Sequence, residues 1–289
     1  MRSFEYIAPD SLGDALQALA EHAPHVRPLA GGTDLLVDLK HTLDGPRVIV
    51  DIGRVPELKG IDETAEGLRI GALVTHSEIE RSRLIAEHAP AMIAAAATIG
   101  AVQTRNMGTL GGNLVTCVPS MDSGQVLVAL DAQVTVAGPG GVQQMPLTEF
   151  FLGPRKTILA PDELLVDILI PAAMLGRPAS FLKFGLRKGQ ALALVNVAAS
   201  VATEDGRITE TRIALGAVSP TVIRAVKAEA VVTAKEVGDT AALRQAGEVA
   251  VTEARPIDDF RASAAYRREL IAVGTFRALE EALTRAAAA

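Results

Sequence analysis

Residues 98–113 combine four glycines with seven side chains that can form hydrogen bonds, and they carry one formal charge, on Arg105. Glycine allows positive φ and lets backbone N–H groups approach a bulky ligand where a Cβ would collide. Threonine and asparagine add hydroxyl and amide groups that bond phosphate, ribose or the edge of a heterocycle. This composition is typical of a wall for an extended, partly anionic ligand such as a dinucleotide. For this stretch alone, an ordinary glycine-rich connection between two strands is the alternative.

A second glycine segment, Leu-Ala-Gly-Gly-Thr-Asp-Leu-Leu at residues 29–36, favours the dinucleotide interpretation. Leu35, Leu36 and Leu39 can form one face of a helix, which would leave residues 31–34 at the helix start with N–H groups available to an anion. The spacing is not Gly-x-Gly-x-x-Gly, so a fold other than the Rossmann fold is predicted. Asp34 is expected to hold a turn or cap the helix, because a carboxylate repels a pyrophosphate.

Composition and charge limit the classes of function. Apolar residues make up 49% of the 289 residues, and the net charge is −6 without the clustered lysine and arginine that a nucleic-acid surface needs. Cys117 is the only cysteine, so neither an internal disulfide nor a cysteine-held metal cluster can form within this chain. We therefore expect a reducing, cytoplasmic compartment. The chain begins without an apolar signal region, and its apolar runs are too short for a transmembrane segment.

Helix caps and strand patterns predict a mixture of helices and strands in three regions, residues 1–54, 55–172 and 173–289. Ser11 with Asp14, and Thr75 with Glu78, have the spacing of capping boxes at helix starts. In the third region, alternating and apolar runs predict three strands followed by helices, with the strands at residues 181–186, 193–203 and 208–217.

Three single residues near the glycine segments have alternative roles. Arg105 can pair with a pyrophosphate or bond loop carbonyls, and the second is favoured in a glycine-rich loop. Asp122 can accept hydrogen bonds from a ribose or cap the helix predicted at residues 123–130. Cys117 is expected to be a small buried hydrophobe and not a redox thiol. The five histidines have no metal-ligand spacing, and we predict neither catalytic nor metal-binding residues in this chain.

Several segments together resemble the FAD-binding medium subunit of molybdenum hydroxylases, the family of xanthine dehydrogenase and carbon monoxide dehydrogenase. The two glycine segments carry most of the resemblance, and the matching stretches extend over essentially the whole chain. They are residues 29–35, 105–114, Asp122, 129–132, 181–183 and 261–268.

This resemblance implies an FAD domain of the vanillyl-alcohol-oxidase (PCMH) type, with two α+β subdomains around FAD and a C-terminal domain of a three-stranded antiparallel sheet and helices. The glycine segments would hold the pyrophosphate and ribityl through backbone N–H groups. Lys183 would lie near the flavin ring, where a cation stabilises the anionic reduced flavin; a surface lysine on a strand is its alternative. The implied cofactor-binding residues are Leu29, Ala30, Gly31, Gly32, Thr33, Asp34, Leu35, Leu36, Ile99, Thr109, Leu110, Gly111, Gly112, Asn113, Asp122, Leu165 and Lys183.

The resemblance also implies partners and a direction of electron flow. A large subunit with molybdopterin would oxidise the substrate, and a small subunit with two [2Fe–2S] clusters would pass the electrons to this FAD. NAD, a quinone or oxygen would then accept them, and the expected assembly is a dimer of heterotrimers. Ala191 stands where relatives often carry an acidic residue, so the contact there with the flavin or the acceptor stays open.

Two other functions are open on the sequence. A self-sufficient FAD-dependent oxidoreductase would need a base that binds substrate near the flavin, and no candidate for that base is evident. A non-enzymatic dinucleotide-binding scaffold would keep the glycine segments without redox use.

Overall fold

The computed structural model describes residues 3–41, 45–189 and 191–288, so Met1 and Ala289, the outer limits of the predicted regions, lie outside it. Three sheets of three, five and four strands and a two-stranded ribbon are formed by the described residues, and three clusters of buried apolar side chains support them. Among the residues that the structure describes, no helix is both long and apolar enough to cross a membrane.

A small parallel sheet forms the first part, in the order β1-β3-β2. Ser11 accepts a hydrogen bond from the backbone N–H of Asp14 at 3.1 Å, as the spacing of these residues predicts for the start of the first helix. Leu19 and Val50 are buried between that helix and the sheet. The elements are β1 (Glu5–Ile7), α1 (Leu12–His22), β2 (Val26–Leu29), α2 (Leu35–His41) and β3 (Val48–Asp51).

A five-stranded antiparallel sheet forms the second part, in the order β4-β5-β10-β6-β7. Its strands are β4 (Ile61–Thr64), β5 (Gly67–Gly71), β6 (Gln133–Gly138), β7 (Gly141–Pro146) and β10 (Leu164–Pro171). A 3-10 helix, Pro56–Leu58, precedes the sheet, and a short helix and two-stranded ribbon precede its central strand: α9 (Leu147–Phe150), β8 (Phe151–Gly153) and β9 (Lys156–Thr157).

Six short helices pack on this sheet between β5 and β6. Thr75 and Glu78 form the predicted capping box at the start of the first of them. Residues 98–113 are not a simple connection between two strands, the alternative for this stretch, since two of the helices run through them. The helices are α3 (His76–Arg81), α4 (Arg83–His88), α5 (Pro90–Ala97), α6 (Val102–Met107), α7 (Leu110–Thr116) and α8 (Ser123–Ala129).

The C-terminal part is a four-stranded antiparallel sheet covered by helices. The three predicted strands are present, and Ile223 and Arg224 add a two-residue fourth strand that Glu229 secures through the Arg224 guanidinium. After a 3-10 helix, Ala172–Met174, the elements are β11 (Ala179–Gly185), β12 (Ala193–Glu204), β13 (Arg207–Gly216), β14 (Ile223–Arg224), α10 (Val226–Val232), α11 (Thr240–Glu253) and α12 (Ala264–Ala288).

Helices α11 and α12 approach each other closely at Gly247. A Cβ on Gly247 would lie 2.4 Å from the carbonyl oxygen of Ala272, so one backbone must move to accept it. Alanine is more favourable than glycine in a helix interior by about 1 kcal/mol. Overpacking a tight contact, however, costs about 1–3 kcal/mol. We expect Gly247→Ala to lower the free energy of unfolding by about 1 kcal/mol, seen as a lower midpoint in urea. Gly238→Ala is the control, because no atom lies within 4 Å of its added Cβ; an equal midpoint for the two variants would contradict the close packing.

Candidate functional site

A cavity of about 400 Å³ lies between the first part of the chain and the second, and both glycine segments line it. Ligand sites commonly have volumes of about 300–1,000 Å³. The structure brings twelve of the seventeen predicted residues to this cavity: Ala30, Gly31, Gly32, Thr33, Asp34, Leu35, Ile99, Thr109, Gly111, Gly112, Asn113 and Leu165.

The first glycine segment presents a run of unused donors to the cavity. Within the described residues, the backbone N–H groups of Gly31, Gly32, Thr33, Asp34 and Leu35 donate to no protein acceptor. Gly32 has φ of +70°, which turns the chain into the start of α2. Successive backbone N–H groups in such a turn form an anion-binding concavity. This segment therefore has the chemistry that a phosphate-containing ligand requires.

The two glycine segments touch through their backbones. A Cβ on Gly31 would lie 1.7 Å from the carbonyl oxygen of Met107 and 3.1 Å from the N of Gly108. No residue with a side chain fits there without moving one segment away from the other. Gly31 is therefore a requirement for closing the cavity between the two parts.

The second segment uses its backbone donors inside the protein, which differs from the expectation that they hold the ligand. The N–H of Leu110 donates to Val74 O at 2.8 Å, and that of Gly111 donates to Ala72 O at 2.9 Å. Thr109 caps α7. Its hydroxyl oxygen accepts a hydrogen bond from the N–H of Gly112, and its carbonyl oxygen accepts one from the N–H of Asn113. The segment therefore offers side chains to the cavity, notably the Asn113 amide, whose oxygen accepts a hydrogen bond from Ser123 Oγ.

Leu29, Leu36 and Leu110 do not line the cavity. The side chains of Leu29 and Leu36 approach Gly32, with methyl carbons 3.1 Å and 3.0 Å from the point where its Cβ would lie. Leu110, the first residue of α7, is fully buried. These three residues therefore contribute to packing and do not line the cavity.

Asp122 and Lys183 form a buried ion pair outside the cavity lining. Lys183 Nζ lies 2.5 Å from Asp122 Oδ2 and donates to Thr98 O at 3.1 Å, next to the cavity residue Ile99. Asn196 Nδ2 donates to Asp122 Oδ1 at 3.0 Å. Burial raises the pKa of Asp122, and the Lys183 ammonium acts in the opposite direction. The alternative roles, a helix cap for Asp122 and a surface lysine for Lys183, are excluded, since among the described residues the Asp122 side chain makes no capping hydrogen bond and both side chains are buried.

Arg105 and Cys117 have structural partners. Arg105 donates to Ile99 O at 3.2 Å, as favoured for a loop arginine, and pairs with Glu80 at 2.8 Å. Cys117 is buried, and that burial raises the pKa of its thiol. The expectation of a small buried residue at Cys117 is confirmed.

Sequence reasoning missed several polar residues of the cavity, and His76 is the most buried of them. Its side chain is 2% exposed, and its Nδ1 has no hydrogen-bond partner among the described residues. Arg155 and Asp38 form an ion pair of 3.0 Å at the same cavity. Partial burial raises the pKa of Asp34, Arg155 lowers it and Asp38 raises it further. No local pattern marks these residues, because their neighbours in space are distant in the sequence.

These donors fit FAD better than they fit a metal. The free N–H groups of residues 31–35 and the Thr33 hydroxyl match the oxygens of a pyrophosphate, and Ile99 and Leu165 offer apolar surface to rings. No group of three histidine, cysteine, aspartate or glutamate side chains that could hold a metal ion occurs in the described ranges.

The buried imidazole of His76 makes stability depend on pH. Burial lowers the pKa of His76 to about 4, and the Arg105 charge makes a smaller contribution in the same direction. A histidine in the unfolded chain has a pKa near 6.5. Between pH 6.5 and pH 4 the unfolded state therefore binds a proton at this residue, and the folded state does not. The stabilisation is complete above pH 6.5 and is lost as the pH falls towards 4, by about 3 kcal/mol.

We expect the free energy of unfolding of the wild type, minus that of His76→Gln, to decrease by that amount between pH 7 and pH 4. Urea titrations at several pH values measure it. His25→Gln is the control, because His25 is exposed. A difference for His76→Gln that stays constant with pH would show that the imidazole is not held neutral.

Known proteins match this chain over nearly its full length. Residues 2–173 match the family described as the FAD binding domain in molybdopterin dehydrogenase, and residues 180–282 match the CO dehydrogenase flavoprotein C-terminal domain. The xanthine dehydrogenase FAD-binding subunit of Escherichia coli O157:H7 is 34% identical over 279 residues, which cover 96% of this chain and 94% of that protein. The carbon monoxide dehydrogenase medium chain of Hydrogenophaga pseudoflava is 31% identical over 284 residues, 98% of each chain.

Comparison of the fold with solved structures indicates the same family. A solved structure of carbon monoxide dehydrogenase from Hydrogenophaga pseudoflava, which lacks the Mo-pyranopterin moiety of its cofactor, superimposes with a TM-score of 0.94 at 32% identity and covers 98% of both chains. The predicted α+β fold, an FAD-binding domain followed by a C-terminal domain, is confirmed. The chain belongs to the family of FAD-binding medium subunits of molybdenum hydroxylases, and it is an oxidoreductase subunit with FAD as its cofactor.

Proposed function

We propose that this chain carries electrons between the iron–sulfur clusters of a molybdopterin-dependent hydroxylase and an external acceptor. The single observation that carries the proposal is that the N–H groups of residues 31–35 donate to no acceptor in the described part of the chain, in a cavity shared by both glycine segments. Full-length similarity to the medium chain of carbon monoxide dehydrogenase supports it.

In this proposal the chain holds and orients FAD and performs no substrate chemistry. Residues 31–35 and the Thr33 hydroxyl bind the pyrophosphate, with Thr109 and Asn113 on the opposite wall. Ile99 and Leu165 contact ring surfaces. The isoalloxazine, when bound, supplies the capacity to accept and pass on electrons.

Lys183 and Asp122 would act at the flavin end. The pair is anchored by Thr98 O and Asn196, so the ammonium is held in one place beside Ile99. A fixed cation near the cofactor favours its anionic reduced form. Leu29, Leu36 and Leu110 would contribute to the same site from behind the glycine walls.

The proposed partners are a molybdopterin-binding large subunit and a small subunit with two [2Fe–2S] clusters, in a dimer of heterotrimers. Cys117 as the only cysteine supports this division, since each such cluster needs four ligands, usually cysteines. We propose NAD, a quinone or oxygen as the acceptor and the cytoplasm as the location, which the low cysteine content fits.

We also propose the division into two FAD-binding subdomains, residues 1–54 and 55–172, and a C-terminal domain, residues 173–289. The separate sheets support it. The apolar clusters support it in part, because Leu164 and Val166 of β10 pack with the first sheet, and Ala198 and Ala214 of the C-terminal sheet pack with the second.

FAD retention tests this function. We expect the purified chain, incubated with excess FAD and passed through a gel-filtration column, to show flavin absorption near one per chain. Gly32→Ala should lose at least about nine-tenths of it, because a Cβ at φ +70° meets Leu29 and Leu36 and distorts the donor run. Gly176→Ala is a matched control, with φ of +69° and no atom within 4 Å of the added Cβ.

The partner requirement is tested with the same preparations. The FAD-loaded chain alone should not reduce a dye with aldehydes or heterocycles as donors, whereas the complex co-purified with its molybdopterin and iron–sulfur subunits should. Turnover by the chain alone would favour a self-sufficient oxidoreductase. No flavin in the chain or in the complex would favour a non-enzymatic scaffold.

A further inference from the structure

His76 is a buried polar side chain in the cavity wall without a structural partner. It lies at the start of α3, is 2% exposed and lines the cavity together with both glycine segments. Its Nδ1 has no hydrogen-bond partner in the described part of the chain. A buried polar atom without a hydrogen-bond partner is energetically unfavourable. A hydrogen bond to a ligand in the cavity would remove that cost.

The position of His76 is fixed by the second glycine segment. Its backbone N–H donates to Gly108 O at 3.1 Å. Above Gly108, the imidazole Cδ2 and the Thr33 hydroxyl oxygen approach the same point, at 3.5 Å and 3.6 Å from where a Cβ would lie. The Cδ2 edge of the imidazole and the Thr33 hydroxyl therefore lie close together, in the wall of the cavity that residues 31–35 also line.

The imidazole is neutral at pH 7, because burial and, to a smaller extent, the Arg105 charge lower its pKa to about 4. Arg105 on α6 is itself paired with Glu80 on α3. Glu78 on α3 is bonded to Thr75. Asp34, Asp38, Arg155, Arg27 and Glu163 also line the cavity. A neutral imidazole has one N–H group, and this group can donate a hydrogen bond to an anionic oxygen.

We propose that His76 is a further pyrophosphate-binding residue, whose imidazole N–H donates a hydrogen bond to an FAD pyrophosphate oxygen beside the Thr33 hydroxyl. This inference rests on the proposed function, because it takes FAD as the ligand of the cavity. The position of His76 beside Thr33 of the donor segment, in a cavity that Lys183 does not line, selects the pyrophosphate over the flavin ring.

The test compares three ligands on the full chain. FAD, ADP and riboflavin are titrated into the wild type, His76→Phe and His76→Gln. A hydrogen bond to a charged oxygen is worth about tenfold or more in affinity. His76→Phe should therefore weaken FAD and ADP by at least about tenfold and leave riboflavin unchanged, and His76→Gln, which keeps a donor, should recover most of the loss. His25→Phe, at an exposed histidine, should change none of the three affinities.

Several outcomes overturn the inference. If a folded His76→Phe variant binds ADP and FAD with unchanged affinity, the inference is wrong. If the variant loses riboflavin affinity by the same factor as FAD affinity, the contact lies at the flavin ring. A wild type that binds neither FAD nor ADP overturns the proposed function as well, so the two failures are distinct.

A second test uses only the wild type, so it does not depend on whether a variant folds. The chain has five histidines, and their ring nitrogens can be observed by NMR after labelling with ¹⁵N-histidine. Addition of ADP should shift the His76 ring resonance, which pH titration identifies by its low pKa. A His76 resonance that does not move at saturating ADP would overturn the inference.

Discussion

The close contact between Gly31 and the Met107 carbonyl is the constraint on which the site depends. It brings the chain before α2 against the backbone at the end of α6, and a Cβ on Gly31 would lie 1.7 Å from the carbonyl oxygen. A second contact of the same kind fixes the other segment, because Gly111 lies against the backbone of Ala72 and donates to its carbonyl. Within the described residues, the N–H groups of residues 31–35 donate to no protein acceptor, so they remain available to a ligand.

The C-terminal sheet contributes to the site through charge. Lys183 on β11 and Asn196 on β12 both bond Asp122, which precedes α8 in the second part of the chain. A buried ion pair is weak evidence for stability, because desolvation offsets much of the attraction. Its effect here is positional, since the pair and the Thr98 carbonyl hold one cation beside the cavity. The cofactor-binding parts and the C-terminal sheet are thus coupled by a few polar bonds as well as by apolar packing.

Local signals predicted the features that depend on neighbouring residues. The caps at Ser11 and Thr75, the three long strands of the C-terminal sheet and the turn at Gly32 all follow from short sequence patterns. The two short helices within residues 98–116 could not be predicted, because glycine, threonine and asparagine have low helix propensity and tertiary bonds from residues 72–76 hold this region.

Long-range pairs account for the other failures. The ion pair of Asp122 has no local signal, because its partner Lys183 is 61 positions away in the sequence. His76 escaped notice because its burial and its lack of a partner exist only in the folded chain. The family resemblance identified Asp122 and Lys183 as site residues but did not indicate that they bond each other.

Hydrogen–deuterium exchange of the chain with and without FAD tests the central claim most directly, namely that one ligand is held by both glycine segments together. We predict that saturating FAD slows the exchange of the N–H groups of residues 31–35 and of the peptides covering residues 108–113, while the middle of α12 exchanges at an unchanged rate. Slower exchange in only one of the two segments, or in neither, would contradict the account.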